Sequence, residues 1–268
     1  MNFFSISLFC GKYIDFLESI KNPTKKILVF TPNPEIFVHA SRDEEFLNIL
    51  KKATYNTPDA NWLYVGAMMQ EGIGFFRACF VLLFAKKKLR EQYGDLIKGS
   101  DLTRDLLNYA SETKKNILIL DNRVENIVSE FDQKKSSLQQ HLGSSLEQKY
   151  PWLTVRVVYV WDIANDGIAH LIELQDISYV FSCLGMRKQE KELIEIFSYL
   201  PWDQRVVGLG VGASIDFLFW LQKRAPILWQ KMWLEWLYRL IMEPRKRWRR
   251  IYTAVVEFPN MIKNTSPD

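Results

Sequence analysis

Lys26-Ile27-Leu28-Val29-Phe30-Thr31, followed at once by Pro32-Asn33-Pro34-Glu35, is the stretch whose reading decides the fold. Its unbroken apolar centre predicts a buried strand, because a strand covered on both faces has no reason to alternate polar and apolar residues. The two prolines predict a turn at its carboxyl end, and Glu35 to Ala53 predicts a helix. Outward from there the same unit recurs. Trp62–Ala67 predicts a strand, and Glu71 to Gln92 a helix that is unusually apolar on one side. Gly99-Ser100-Asp101 predicts a turn with a helix N-cap, opening a helix through about Ser111. Strands are predicted at Asn116–Asp121, Val155–Trp161, Ser178–Leu184 and Arg205–Leu209. Helices are predicted between them at about Val124 to Lys149, Ile168–Leu174 and Gln189 to Tyr199, and a last one from about Ala213.

Repeated strand–helix units predict an α/β fold: a mostly parallel, Rossmann-like sheet with helices on both faces. In such sheets the site lies beyond the carboxyl ends of the strands. That rule singles out the turns at Thr31/Asn33, at Gly185 to Gln189 and at Gly210/Gly212. Asp59 falls on a loop and is not found by it.

The strand rhythm stops near Lys223, which divides the chain into an α/β core over 1–222 and an appendage over 223–268. Lys223 to Arg250 carries nine Lys and Arg against two acids, more positive charge than the whole chain's net +4. With Trp220 it also holds five of the nine tryptophans. Trp229, Trp233, Trp236 and Leu240 recur at helical spacing, and Pro244 interrupts the helix before Arg245, Lys246, Arg247, Arg249 and Arg250. Rings beside clustered cations suit a surface with an oily layer under anionic groups. An ordinary core helix with a solvated charged face is the plainer reading. Binding to nucleic acid through Arg245–Arg250 ranks last, because the tryptophans within the same helix favour lipid. Removing residues from Lys223 onward is expected to leave a folded core.

The remaining composition sets bounds. Hydrophobic residues at 48% and charged residues at 25% are ordinary for a globular chain of 268 residues. No uncharged apolar run reaches the roughly 20 residues that span a bilayer. The apolar MNFFSISLFC start has no basic n-region and no small-residue cleavage site. Three widely spaced cysteines make a reducing cytoplasm the default setting. His39, His141 and His170 are scattered, so neither a metal site nor a cofactor is expected. Gly208 to Ala213 fits the loose G-x-G-x-x-A turn, in which backbone N–H groups approach a phosphate. No acid follows at the spacing that a nicotinamide ribose needs.

Several short motifs fall in one order: Thr31-Pro32-Asn33-Pro34-Glu35, Pro58-Asp59, Gly99-Ser100-Asp101-Leu102, Leu184-Gly185-Met186-Arg187-Lys188-Gln189-Glu190, Gly210-Val211-Gly212-Ala213-Ser214-Ile215-Asp216-Phe217 and Leu234-Glu235-Trp236-Leu237-Tyr238-Arg239-Leu240 with Glu243-Pro244. Together they resemble the WecG/TagA/CpsF glycosyltransferases, glycosyltransferase family 26, from about Ile27 to Ile251. The resemblance implies an inverting transferase that moves an N-acetylmannosamine-type sugar from a UDP-sugar donor to a polyprenyl-diphosphate-linked amino sugar. Such activity serves cell-surface polysaccharide or teichoic acid synthesis. It also implies a protein peripheral on the inner, cytoplasmic face of an anionic membrane, whose C-terminal appendage completes the site. Asp59 matches the catalytic base, and Thr31, Asn33 and Gln189 match pocket residues. Gly210, Gly212 and Asp216 match the nucleotide-binding turn. Arg239, Arg245, Arg247, Arg249 and Arg250 are the cations expected to meet the diphosphate or the membrane. The alternative is a non-catalytic sugar-lipid or membrane-surface binding module of the same fold; a homo-oligomer fits either reading. The chain departs from the family pattern in five places, one of them Asp121-Asn122 where the family has a glycine pair after the strand. Ala60 stands where the family has glycine. Asp95-Leu96 replaces the Glu-Arg before Gly99, leaving Lys98 and Arg90 as stand-ins. Arg187 replaces a proline, and Trp62 to Tyr93 is an apolar insertion.

Overall fold

The computed structural model describes residues 1–121, 148–150, 152–159, 163–212, 214, 226, 229, 235–242 and 244–264. A two-stranded antiparallel ribbon, β1 (Asn2–Phe3) and β2 (Ile6–Ser7), opens the chain and leads to α1 (Tyr13–Lys21). β3 (Ile27–Phe30) is the predicted first strand of the main sheet. The predicted helix from Glu35 to Ala53 is two helices, α2 (Pro34–Ala40) and α3 (Glu44–Lys51). Asp43 causes the break: its side chain accepts from Phe46 N at 3.0 Å, capping a new helix where the old one ends. A short strand, β4 (Tyr55–Asn56), follows.

Trp62–Ala67 is not a strand. It opens α4 (Trp62–Gln70), whose residues from Leu63 to Met68 are all buried. A helix covered on every side has no polar face, and periodicity then cannot separate it from a buried strand. The predicted helix from Glu71 to Gln92 is also two, α5 (Phe75–Phe84) and α6 (Lys86–Tyr93), set off from α4 by a turn in which Gly72 takes φ +85°. α7 (Gly99–Glu112) starts at Gly99, so Gly99, Ser100 and Asp101 form its first turn and do not cap it. β5 (Asn116–Asp121), β6 (Thr154–Tyr159), α8 (Asn165–Leu174), β7 (Ile177–Ser182), α9 (Lys188–Tyr199) and β8 (Val207–Gly210) complete the alternation. α10 (Glu235–Met242), α11 (Pro244–Tyr252), a π-helical turn over Thr253–Glu257 and α12 (Phe258–Asn264) end it. The helix predicted from Val124 to Lys149 lies almost wholly outside the described residues, as does the Lys223 boundary.

The main sheet is parallel, in the order β4-β3-β8-β7-β5-β6. Its register explains where a site can form. Phe30 pairs with Asn56 and with Gly210, Gly210 with Ser182, and Ser182 with Leu120. Five strands therefore end level, and their following turns leave from one edge. One core layer, with Leu106, Ile117, Tyr179 and Leu209, lies under α1 and α7. The other, with Phe3, Phe37, Tyr64, Ile196 and Phe258, lies under α2, α4, α9 and α12. Phe258 is fully buried, with its ring 5.5 Å from Phe3 and against the backbone of Gly66. The chain's last helix thus belongs to the core.

Candidate active site

The level strand ends place the predicted residues, and β4 supplies the one that the strand-end rule could not find. Its two residues are too few to make a legible apolar run, yet they pair with β3, so Thr57-Pro58-Asp59 leaves the same edge as Thr31. Thr57 N donates to Phe30 O at 2.8 Å and Asp59 N to Pro32 O at 3.3 Å, which ties the two turns together. Asp59 Oδ1 accepts from Gly99 N at 3.2 Å, at the first turn of α7. Ile97 N donates to Pro58 O at 2.8 Å and closes the same loop from the other side.

A side chain at Gly99 would be crowded by the hydroxyls around it. A Cβ there would lie 3.3 Å from both Thr31 Oγ1 and Ser214 Oγ. Thr31, Asp59, Gly99 and Ser214 therefore converge, with Thr31 Oγ1 donating to Gly210 O at 3.1 Å. Ser214 is a neighbour that sequence reasoning did not select; only its place in the Gly210–Phe217 motif hinted at it. Asn33 caps α2, its Oδ1 accepting from Ile36 N at 3.1 Å.

Gln189 joins two of the turns. Its Oε1 accepts from Gly212 N at 2.9 Å and its Nε2 donates to Glu190 Oε1 at 2.7 Å. Gly212 takes φ +54° there, a conformation that suits glycine. Glu190 is fully buried, and its other oxygen accepts from Arg187 N at 2.7 Å. Burial pushes the Glu190 carboxyl above its ordinary value, and the bonds from Gln189 and the backbone pull the other way. Arg187 itself has φ +73°, a conformation that a proline cannot adopt. Its guanidinium pairs with Asp43 and lies over Phe46, 5.5 Å from the ring centre.

Of the two stand-in cations, Lys98 immediately precedes Gly99 and is half-buried, whereas Arg90 sits on α6 with Asp95 3.9 Å away. From the C-terminal segment, Arg250 reaches Glu35 at 3.1 Å, two residues past the Asn33 cap. Arg249 is exposed on the same helix. Arg239 lies on α10, and Arg245 and Arg247 on α11; Asp216 is outside the described residues. Among the described residues no group of three or more His, Cys, Asp or Glu is placed to hold a metal ion. A cleft of about 480 Å³ lies elsewhere, lined by Phe4, Arg42, Tyr252, Glu257 and Asn260 among others. Its Glu257 is already paired with Arg42 at 3.2 Å, and no strand-end residue lines it, so shape alone points away from the chemistry.

Residues 1–264 match the family model described as the glycosyl transferase WecG/TagA/CpsF family. The chain belongs to that family. Relatives from Staphylococcus aureus strains MRSA252, MW2 and NCTC 8325 are each named N-acetylglucosaminyldiphosphoundecaprenol N-acetyl-beta-D-mannosaminyltransferase. Each is 24% identical over 244 residues, which is 89% of this chain and 81% of the relative. The glycosyltransferase reading of the ordered motifs therefore holds. No helix among the described residues is long and apolar enough to cross a membrane.

Proposed function

We propose that this glycosyltransferase moves an N-acetylmannosamine-type sugar from UDP to a polyprenyl-diphosphate-linked amino sugar, with inversion, while held on the inner face of the cell membrane. The observation that carries this reading is the convergence of Asp59 with Thr31, Gly99 and Ser214 at the edge where β4, β3, β8 and β7 end. The activity for which the staphylococcal relatives are named supports the choice of transferred and acceptor sugars.

In the proposed mechanism the acceptor hydroxyl oxygen attacks the anomeric carbon while the carbon–oxygen bond to UDP breaks on the opposite face. Asp59 takes the hydroxyl proton, and UDP leaves with the bonding electron pair. The bond from Gly99 N to Oδ1 orients the Asp59 carboxyl, whose second oxygen meets that proton. The turn at Gly210 and Gly212, clipped by Gln189, is the proposed seat of the nucleotide. Charge on the departing diphosphate is met by arginines of α11, without a metal ion. Arg250 of this helix already pairs with Glu35, beside the Asn33 turn.

The test is release of UDP from UDP-N-acetylmannosamine in the presence of a lipid-diphosphate-linked N-acetylglucosamine. Turnover that requires both substrates supports the reading, and no UDP release above a no-enzyme control rejects it. One observation favours the second reading, a non-catalytic binding module. Leu96, which replaces the family arginine, packs against the apolar core and offers no cation. That reading requires binding of the lipid-diphosphate without turnover of any UDP-sugar.

A further inference from the structure

Phe75–Phe84 (FFRACFVLLF) is apolar on the side that faces solvent as well as on the side that packs. Ala78 and Leu82 are buried, and the Phe75 ring stacks on Trp62 with centroids 6.4 Å apart. On the opposite side Phe76 is 86% exposed, Phe84 73%, Phe80 63% and Leu83 56%. These four fall at i, i+4, i+7 and i+8, so they form one continuous stripe, with the Phe80 and Phe84 rings 4.7 Å apart. A soluble monomer rarely leaves such a stripe bare. α6 then opens with Lys86-Lys87-Lys88, and Arg77 lies on the exposed arc of α5.

We propose that α5 is a membrane-insertion element: it lies in the plane of an anionic bilayer with Phe76, Phe80, Leu83 and Phe84 among the acyl chains and the lysines of α6 on the headgroups. The commitment to lipid follows from the charge pattern and the length. A basic rim around an aromatic stripe complements an anionic interface. Ten residues of helix measure about 15 Å, half of a hydrocarbon core, so α5 can lie in the interface but cannot cross.

Its place in the chain ties this to the site. α4, α5 and α6 form one excursion that leaves just after Asp59 and returns just before Gly99. Its two ends are joined by Ile97 N donating to Pro58 O and Gly99 N donating to Asp59 Oδ1. The element that enters the bilayer is therefore spliced into the loop that carries the carboxylate, and its depth sets the height of the site above the lipid. This role rests on the proposed lipid-linked acceptor; the insertion itself does not.

The test uses the full chain with Phe76→Ser, Phe80→Ser and Phe84→Ser combined, and separately Lys87→Glu with Lys88→Glu. Co-sedimentation is measured with vesicles of phosphatidylcholine alone and with about one-third phosphatidylglycerol. The wild type is expected on the anionic vesicles. The triple-serine chain should lose about tenfold or more of that partitioning with its thermal midpoint kept. The charge-reversed chain should lose the preference for phosphatidylglycerol. Turnover by the triple-serine chain should fall on a long-chain lipid acceptor and stay at the wild-type level on a water-soluble short-chain one. Unchanged vesicle binding by both variants overturns the proposal. So does a wild type that ignores vesicles and is dimeric by light scattering until the phenylalanines are replaced. Loss of vesicle binding by both variants, in a wild type that turns over neither acceptor, sustains the insertion and rejects the transferase reading instead.

Discussion

The turns at the strand ends and the α4–α6 excursion share two anchor points, Asp59 and Gly99, yet they are built on opposite principles. In the turns beyond the strand ends the polar side chains are answered by neighbours: Thr31 by Gly210, Asp59 by Gly99, Gln189 by Gly212 and Glu190. On the strand-end residues themselves, Asn56 Oδ1 and Ser182 Oγ are buried without a hydrogen-bond partner. The excursion is held chiefly by rings and by Gly66 pressed against Phe258, with a few bonds such as Tyr64 OH to Gly94 O and Tyr93 OH to Glu71, and it turns an apolar stripe outward. Hydrogen bonds fix atoms to within tenths of an ångström, which chemistry needs. Apolar burial fixes a helix less strictly and gives it affinity for any oily surface. The two regions should therefore fail differently when cut.

The largest effect is expected at Asp59. Asp59→Asn keeps an oxygen that can accept from Gly99 N, so the fold should survive while the proton acceptor is gone. Turnover should fall on the order of 10²–10⁴-fold, with the thermal midpoint close to wild type. Wild-type UDP release by this variant would remove Asp59 from the mechanism.

Phe258→Ala strikes the excursion's support from the far side. Truncating a fully buried phenylalanine costs about 3–5 kcal/mol, and here the hole opens beside Phe3, Phe37 and Gly66. Hydrogen exchange should quicken in α4 and α5 more than in the turns at Thr31 and Gly212. Equal loosening of both would erase the distinction. A cut before Lys223 removes Phe258 and Ile262 from the same packing, so the remaining core should melt at a lower temperature than the full chain.

Glu190→Gln works on the site side alone. The buried carboxylate accepts from two donors, and an amide can accept through only one oxygen, so the variant should lose about 1–3 kcal/mol. The pH dependence carries a sign. Burial raises the folded carboxyl above its ordinary 4.5, so the folded state holds the proton more tightly. The associated stability is present below 4.5 and is lost as pH rises through the higher folded value. The advantage of the wild type over the glutamine variant should therefore be larger at pH 5 than at pH 8 in thermal melts. A gap that widens with pH would contradict the burial.

These contrasts also show what a sequence can carry. Ile27–Phe30 and Asn116–Asp121 are legible because an apolar run between turns has few other uses. β4 is not legible, because two residues make no pattern and only pairing with β3 creates the strand. Asp59 is the loop residue that its sequence suggests, but its loop leaves the carboxyl end of β4, and that cannot be seen without the strand. Trp62–Ala67 misled for the opposite reason: a helix packed on all sides loses the polar face that would reveal it. Ser214 beside Gly99, and Arg250 beside Glu35, join residues more than a hundred positions apart, and no local pattern encodes them.

That last pair is where the basic tail meets the site edge, and its removal should have the smallest effect on stability. The Arg250 side chain is more than half exposed, so water and salt screen the pair, and Arg250→Ala should cost no more than about 1 kcal/mol. Its importance lies in position. Glu35 stands in the first turn of α2, next to the Asn33 cap, so the pair holds α11 along the turn that also carries Thr31. If α11 brings cations to a leaving diphosphate, Arg250→Ala should lower turnover more than it lowers the melting temperature. Arg250→Lys should restore part of the loss, since a point charge remains while the planar fork is gone. If α11 serves only as a brace, turnover and melting temperature should fall together, and raised salt should mimic the alanine variant in both.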